Sequence, residues 1–351
     1  MFRFQTQMLT LIFATLCVTV MVACKEQPES RGSTNPAQNT VVSEEKIETN
    51  VSTNPVKVMF TELKLPNYDT ALDMIDYSVP YDKIEWPWKT DPERQEKRIE
   101  ALKKLVQAKA PYYVTEIVQH NPKLPLRGFG WNWGYDEIDW FFYADGDNVT
   151  DDLLFEVLPY IPEVESCGLD HTKVTDEGLK AFFYLPTFKG LGLTTVEPDT
   201  HPLQITDKGI EIISKHPTLE SIGLRNVRIT DESFKSLARN AKKLRKLSYT
   251  GDGITSHGLE YMKETNSLLV LSLTNTNVEK PIITAEILDI LAAIPRLQRL
   301  TLDNYDLSAP PDERMLASLK KLDDKLISLN FRNSKVHPKL LEMIRSAASH
   351  V

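Results

Sequence analysis

From Val149 onward the chain repeats itself, and a repeat limits a fold more than any single motif, because each unit must stack on the next to bury its apolar side. An aliphatic residue followed by threonine recurs at Val149-Thr150, Val174-Thr175, Ile205-Thr206, Ile229-Thr230, Ile254-Thr255 and Ile283-Thr284, at intervals of 25, 31, 24, 25 and 29 residues. Four positions after each threonine stand Leu154, Leu179, Ile210, Phe234, Leu259 and Leu288; seven positions after it stand Val157, Phe182, Ile213, Leu237, Met262 and Leu291. A threonine hydroxyl can accept from an unpaired amide of the first helical turn. The residue before the cap and the fourth after it form a hydrophobic staple. Asp151, Asp176, Asp207 and Asp231 follow four of the threonines directly, where a negative charge suits the helix dipole. Each unit is therefore predicted to open a short helix with one apolar face.

A second spacing follows each predicted helix: Val164-x-x-Cys167-x-Leu169, Phe188-x-x-Leu191-x-Leu193, Leu219-x-x-Ile222-x-Leu224, Leu244-x-x-Leu247-x-Tyr249, Leu268-x-x-Leu271-x-Leu273, Leu297-x-x-Leu300-x-Leu302 and Leu326-x-x-Leu329-x-Phe331. Its apolar-x-apolar ending is strand alternation. Helix, turn and short strand near a 25-residue period resemble the leucine-rich repeat, in its cysteine-containing and ribonuclease-inhibitor-like classes, over roughly residues 148–345. The resemblance implies an α/β solenoid whose parallel strands line a concave face used for partners. The turn position after each strand, often Cys or Asn in that family, holds Thr172, Val196, Val227, Asp252, Thr276, Tyr305 and Ser334.

On that implied face the early strands contribute small residues (Gly168, Gly190, Gly192, Ser221, Gly223), and the later ones Arg225, Asn226, Lys246, Arg299, Asp303, Asn304, Arg332 and Asn333. These eight are the candidate partner-binding residues. Three longer connections, at 197–204, 277–282 and 308–314, carry prolines that limit the entropy lost on binding.

The opposite end of the chain reads as an export signal. Residues 1–23 hold one charge, Arg3, and an uncharged, mostly apolar run from Met8 to Ala23, too short for a comfortable helical span, which takes roughly 20 apolar residues. Met21-Val22-Ala23-Cys24 resembles the lipobox of bacterial lipoproteins, with methionine where leucine is usual. The resemblance implies cleavage between Ala23 and Cys24, acylation at Cys24, and a lipid-anchored envelope protein; Lys25 in place of aspartate favours the outer membrane. Residues 24–57, polar and without aromatics, read as a lipid-bearing disordered tether with a reach of roughly 30 Å over about 33 residues. Loss of 1–23 moves the formal charge from −8 to −9. So acidic a chain is a poor partner for nucleic acid, whose binding needs cations against phosphates.

Residues 58–147 lie outside the repeat and read as an α-rich capping or accessory region. Thr90-Asp91-Pro92-Glu93 starts a helix with proline at its first position, and Ile99, Leu102 and Val106 give it an apolar face. All five tryptophans fall here, including Trp86, Trp88, Trp131 and Trp133, either as packing or as a sugar-stacking platform. Asp145-Gly146-Asp147-Asn148 departs from the calcium-loop template and reads as a turn into the Thr150 helix. The seven histidines lack metal-ligand spacing, and neither a nucleophile elbow nor a phosphate loop is present. Cys167 occupies an apolar strand position and reads as an inert thiol. The expected product is a monomeric, non-enzymatic binding protein for a protein or peptide ligand, with no catalytic residue, metal or cofactor. Its alternatives are a carbohydrate or peptidoglycan binder using residues 86–140 and an enzyme with a site in 58–147.

Overall fold

A computed structural model of the chain describes residues 91–108, 141–162, 164–195, 202–277 and 279–342. The repeated threonines do what their chemistry suggests. Thr150, Thr206, Thr230, Thr255 and Thr284 have extended backbone, and each hydroxyl accepts from an amide two or three residues on. They open α2 (Asp151–Val157), α3 (Asp207–Ser214), α4 (Asp231–Asn240), α5 (Ser256–Tyr261) and α6 (Ala285–Ala293). The seventh unit uses Asp312, which accepts from the Met315 amide and opens α7 (Glu313–Asp323). After Thr175 the expected α-helix is instead a 3-10 helix, Gly178–Tyr184. The stretch is halted by Pro186 and buries Phe182, Phe183 and Tyr184 in succession, which suits the tighter, three-residue turn.

Strands follow in register: β1 (Phe141–Asp145), β2 (Ser166–Asp170), β3 (Gly190–Thr194), β4 (Ser221–Arg225), β5 (Lys246–Thr250), β6 (Val270–Thr274), β7 (Arg299–Asp303), β8 (Asp306–Leu307), β9 (Ser328–Arg332) and β10 (Lys335–Val336). All but β8 and β10 form one eight-stranded parallel sheet in sequence order; β8 and β10 pair with each other, also in parallel. The chain is thus an α/β fold of alternating strands and helices, with corresponding residues of successive units brought side by side (Leu169↔Leu193↔Leu224↔Tyr249↔Leu273↔Leu302↔Phe331). The first six of these are buried, with the staple residues Val149, Val174, Ile205, Ile229 and Ile283, in one continuous core. Burying each such side chain contributes roughly 1.5–3 kcal/mol.

The sheet also takes in a strand that the spacing does not announce. β1 pairs with β2, Phe142 opposite Cys167 and Ala144 opposite Leu169, but Asp139 stands where the other units carry their first apolar residue. Ahead of it, α1 (Pro92–Gln107) packs on α2 and on residues 158–160. Its buried face is Ala101, Leu102 and Leu105, with Arg98 donating to the Tyr160 carbonyl at 3.2 Å. Ile99, expected on that face, is only half-buried, because the packed stripe runs one residue to its side.

The aspartates after the capping threonines do more than complement a dipole. Asp151 accepts from the Thr175 amide and hydroxyl at 2.8 and 2.6 Å. Asp176 holds Thr206 at 2.7 and 2.7 Å, Asp207 holds Thr230 at 2.8 and 2.8 Å, and Asp231 holds Thr255 at 2.8 and 2.6 Å. Each carboxylate therefore grips the helix start of the next unit, and each hydroxyl both donates to it and caps its own helix. Three residues after the gripped threonine stands Gly178, Gly209, Ser233 or Gly258. A Cβ at any of these glycines would press into the clamping carboxylate, whereas Ser233 Oγ donates to Asp207.

One buried group gives the fold a pH dependence. His216 lies between Phe183 and Phe188, ring centroids 4.9 and 5.5 Å away, with Nδ1 3.1 Å from the Thr218 hydroxyl and no hydrogen-bond partner for Nε2 among the described residues. Burial lowers its pKa to about 4, against a smaller upward pull from the Phe182 and Leu185 carbonyls. The unfolded chain, with histidine near 6.5, binds the proton more readily, so this contribution is complete above pH 6.5 and is lost as pH falls towards 4. Unfolding free energy should therefore drop by about 2 kcal/mol between pH 7 and pH 5 from this group. His216→Phe should remove that drop in denaturant titrations at the two pH values; an unaltered slope would contradict the assignment.

Candidate functional site

Alternation buries the second and fourth residue of each of β4, β5, β6 and β7, leaves those of β9 half-buried, and turns the first, third and fifth to the other face. Over β4, β5, β6, β7 and β9 those outward residues are Ser221, Gly223 and Arg225; Lys246, Ser248 and Thr250; Val270, Ser272 and Thr274; Arg299, Thr301 and Asp303; Ser328, Asn330 and Arg332. The set is rich in hydroxyls, has no aromatic ring, and contains one aliphatic residue, Val270. Its middle row, Gly223, Ser248, Ser272, Thr301 and Asn330, is short throughout, so the row floors the face with backbone close beneath the surface.

The eight candidate residues divide into three groups. Arg225, Arg299 and Arg332 are exposed, and none has an ion-pair partner among the described residues. With strands about 4.8 Å apart and about 3.3 Å per residue along them, Arg225 and Arg332 lie about 19 Å apart on one row, and Arg299 about 13 Å to the side on another. Asp303, half-buried, accepts from Asn333 Nδ2 at 3.0 Å.

Lys246 differs, being only 6% exposed. Burial first, and Arg299 second, press its pKa down to about 7. It is part of the sheet face without standing out from it. Asn226, Asn304 and Asn333 form the third group: each directly follows its strand in the left-handed region, at φ 53, 64 and 48°, a conformation asparagine tolerates better than most residues. Asn226 Nδ2 donates to the Thr195 carbonyl at 2.9 Å, and Asn304 Nδ2 to those of Asn275 and Asn277 at 3.0 and 3.1 Å. These two amides tie one unit's turn to the preceding unit, including the start of the 277–282 connection. The pattern that marks them, a single Asn one residue past the strand, is visible in the sequence but reads equally as surface.

Cys167 is buried on β2 and its thiol pKa is pushed well up by burial. Gly146, at φ 104°, makes the turn into the Thr150 helix, and Asp147 faces Lys173 at 3.7 Å. Among the described residues no group of His, Cys, Asp or Glu side chains is placed to hold a metal, and no helix is long and apolar enough to cross a membrane. Ala23, Cys24 and the tryptophans Trp86, Trp88, Trp131 and Trp133 lie outside the described residues, as does most of the 197–204 connection. A scan against protein-family models and a search of curated proteins found no match to this chain.

Proposed function

We propose that this chain is a non-enzymatic binding protein of the bacterial envelope, lipid-anchored through Cys24, with the outer membrane as the favoured site. Its units wind as a leucine-rich-repeat solenoid whose strand face receives a protein or peptide partner. The observation that carries the reading is that face itself: exposed guanidinium groups at Arg225, Arg299 and Arg332, without carboxylate partners among the described residues, set around a row of short residues, three of them hydroxyl-bearing, on a continuous parallel sheet. Such placement matters because ordering of side chains is a main cost of association. The N-terminal tether of roughly 30 Å would hold the face clear of the headgroups.

The test is affinity capture from envelope extracts with the full chain, its Arg225→Ala plus Arg299→Ala variant, and Cys24→Ser. The double variant should lose at least one abundant partner that wild type retains, and Cys24→Ser should move to the soluble fraction. An unchanged partner set would reject the strand face as the binding surface. A Cys24→Ser protein that stays with the membrane would reject the anchor.

A further inference from the structure

The geometry points to an acidic, extended polypeptide segment as the ligand of the strand face between β4 and β9, an inference that rests on the binding reading above. The chain as a whole has a formal charge of −8, yet this face carries three exposed arginines against one carboxylate, Asp303, and that carboxylate is already engaged by Asn333. The surface is therefore cationic on an acidic protein, and complementarity of this kind selects partners and steers their approach. Guanidinium groups present a planar fork that matches carboxylates two bonds at a time.

Their arrangement favours a chain over a compact anion. Three arginines spread over about 19 by 13 Å cannot converge on one phosphate or one carboxylate, but they span five to six residues of extended peptide at about 3.3 Å each. The floor between them suits a peptide backbone: Ser248, Ser272 and Thr301 are short, half-buried, and offer hydroxyls that make no side-chain hydrogen bond among the described residues. A single-stranded nucleic acid would want aromatic faces for base stacking, and no outward position from β4 to β9 is aromatic. A lipid surface would want an apolar patch, and Val270 alone does not make one.

The experiment uses the full chain in detergent with a fluorescent oligoglutamate of about twenty residues, beside an oligolysine and a single-stranded oligodeoxynucleotide of matched charge. Wild type should bind oligoglutamate, with affinity falling as salt rises, and not oligolysine. Arg225→Ala/Arg299→Ala/Arg332→Ala should weaken it tenfold or more. A control with the same charge change placed off the strands, Arg228→Ala/Lys242→Ala/Arg296→Ala, should stay within twofold. Equal loss in both triple variants would reduce the effect to net charge and overturn the proposal, as would tighter binding of the oligodeoxynucleotide with the same arginine dependence. If oligoglutamate fails to bind while the arginine variants still lose their captured envelope partner, the acidic-ligand inference falls and the binding function stands.

Discussion

Asp207→Ala should lower the unfolding free energy by about 3 kcal/mol, seen as a thermal midpoint reduced by about 6–10 °C. Asp207 accepts from the Thr230 amide and hydroxyl and from Ser233, and bonds to a charged acceptor contribute about 1.5–3 kcal/mol each before water replaces part of the loss. The substitution also leaves the first turn of α4 without its external acceptor. Asp207→Asn should cost about half as much, since one amide oxygen remains to accept. Burial alone would raise the Asp207 pKa, but the bonds from Ser233 and Thr230 outweigh it and hold it below its ordinary 3.8. The clamp is therefore complete above that value and weakens as pH falls through the folded pKa. A loss under 1 kcal/mol for the alanine variant would show that water substitutes freely and that the clamp is not a stabilising device.

Gly209→Val should be more damaging, at about 4 kcal/mol in the same denaturation experiment. Gly209 is buried in the first turn of α3; a Cβ there would overlap the Asp176 carboxylate and lie 3.0 Å from Ile205 Cγ2 and 3.1 Å from Leu179 Cδ1. Those neighbours belong to the clamp and the core, so relief of the overlap would break both bonds to Thr206 and repack buried aliphatics. Gly209→Ser should cost less than half of this. Ser233, at the same place one unit later, shows that a hydroxyl can point at the carboxylate and donate to it. Equal losses for valine and serine would mean that backbone freedom, not the carboxylate, dictates glycine there.

These two positions also separate what the amino-acid sequence dictates locally from what only folded neighbours dictate. The threonine caps, the strand spacing and the sequential parallel sheet follow from local offsets, because capping and alternation act over a few residues. The clamp acts between units 23 to 30 residues apart, and the aspartates alone read as dipole partners. The signal that would have exposed it is a covariation inside the chain: aspartate after one unit's threonine is matched by glycine or serine three after the next unit's threonine. β1 escaped for the opposite reason, since Asp139 breaks the apolar spacing while Phe142 and Ala144 keep the pairing. Of the candidate surface, the arginines could be placed by counting along strands. The burial of Lys246 and the turn-tying roles of Asn226 and Asn304 depend on neighbouring units and could not.

Where the matched pair is missing, the stack changes character. After Thr255 comes Ser256 instead of aspartate, and three after Thr284 comes Ile287 instead of glycine. Among the described residues no side-chain hydrogen bond joins α5 to α6. The next junction has its own tie, Asp289 accepting from Ser318 and Arg314. Each such tie is a coupling between neighbouring units of the sheet. The α5/α6 junction is thus held without a carboxylate clamp, by the pairing of β6 with β7, the shared core and the Asn304 amide.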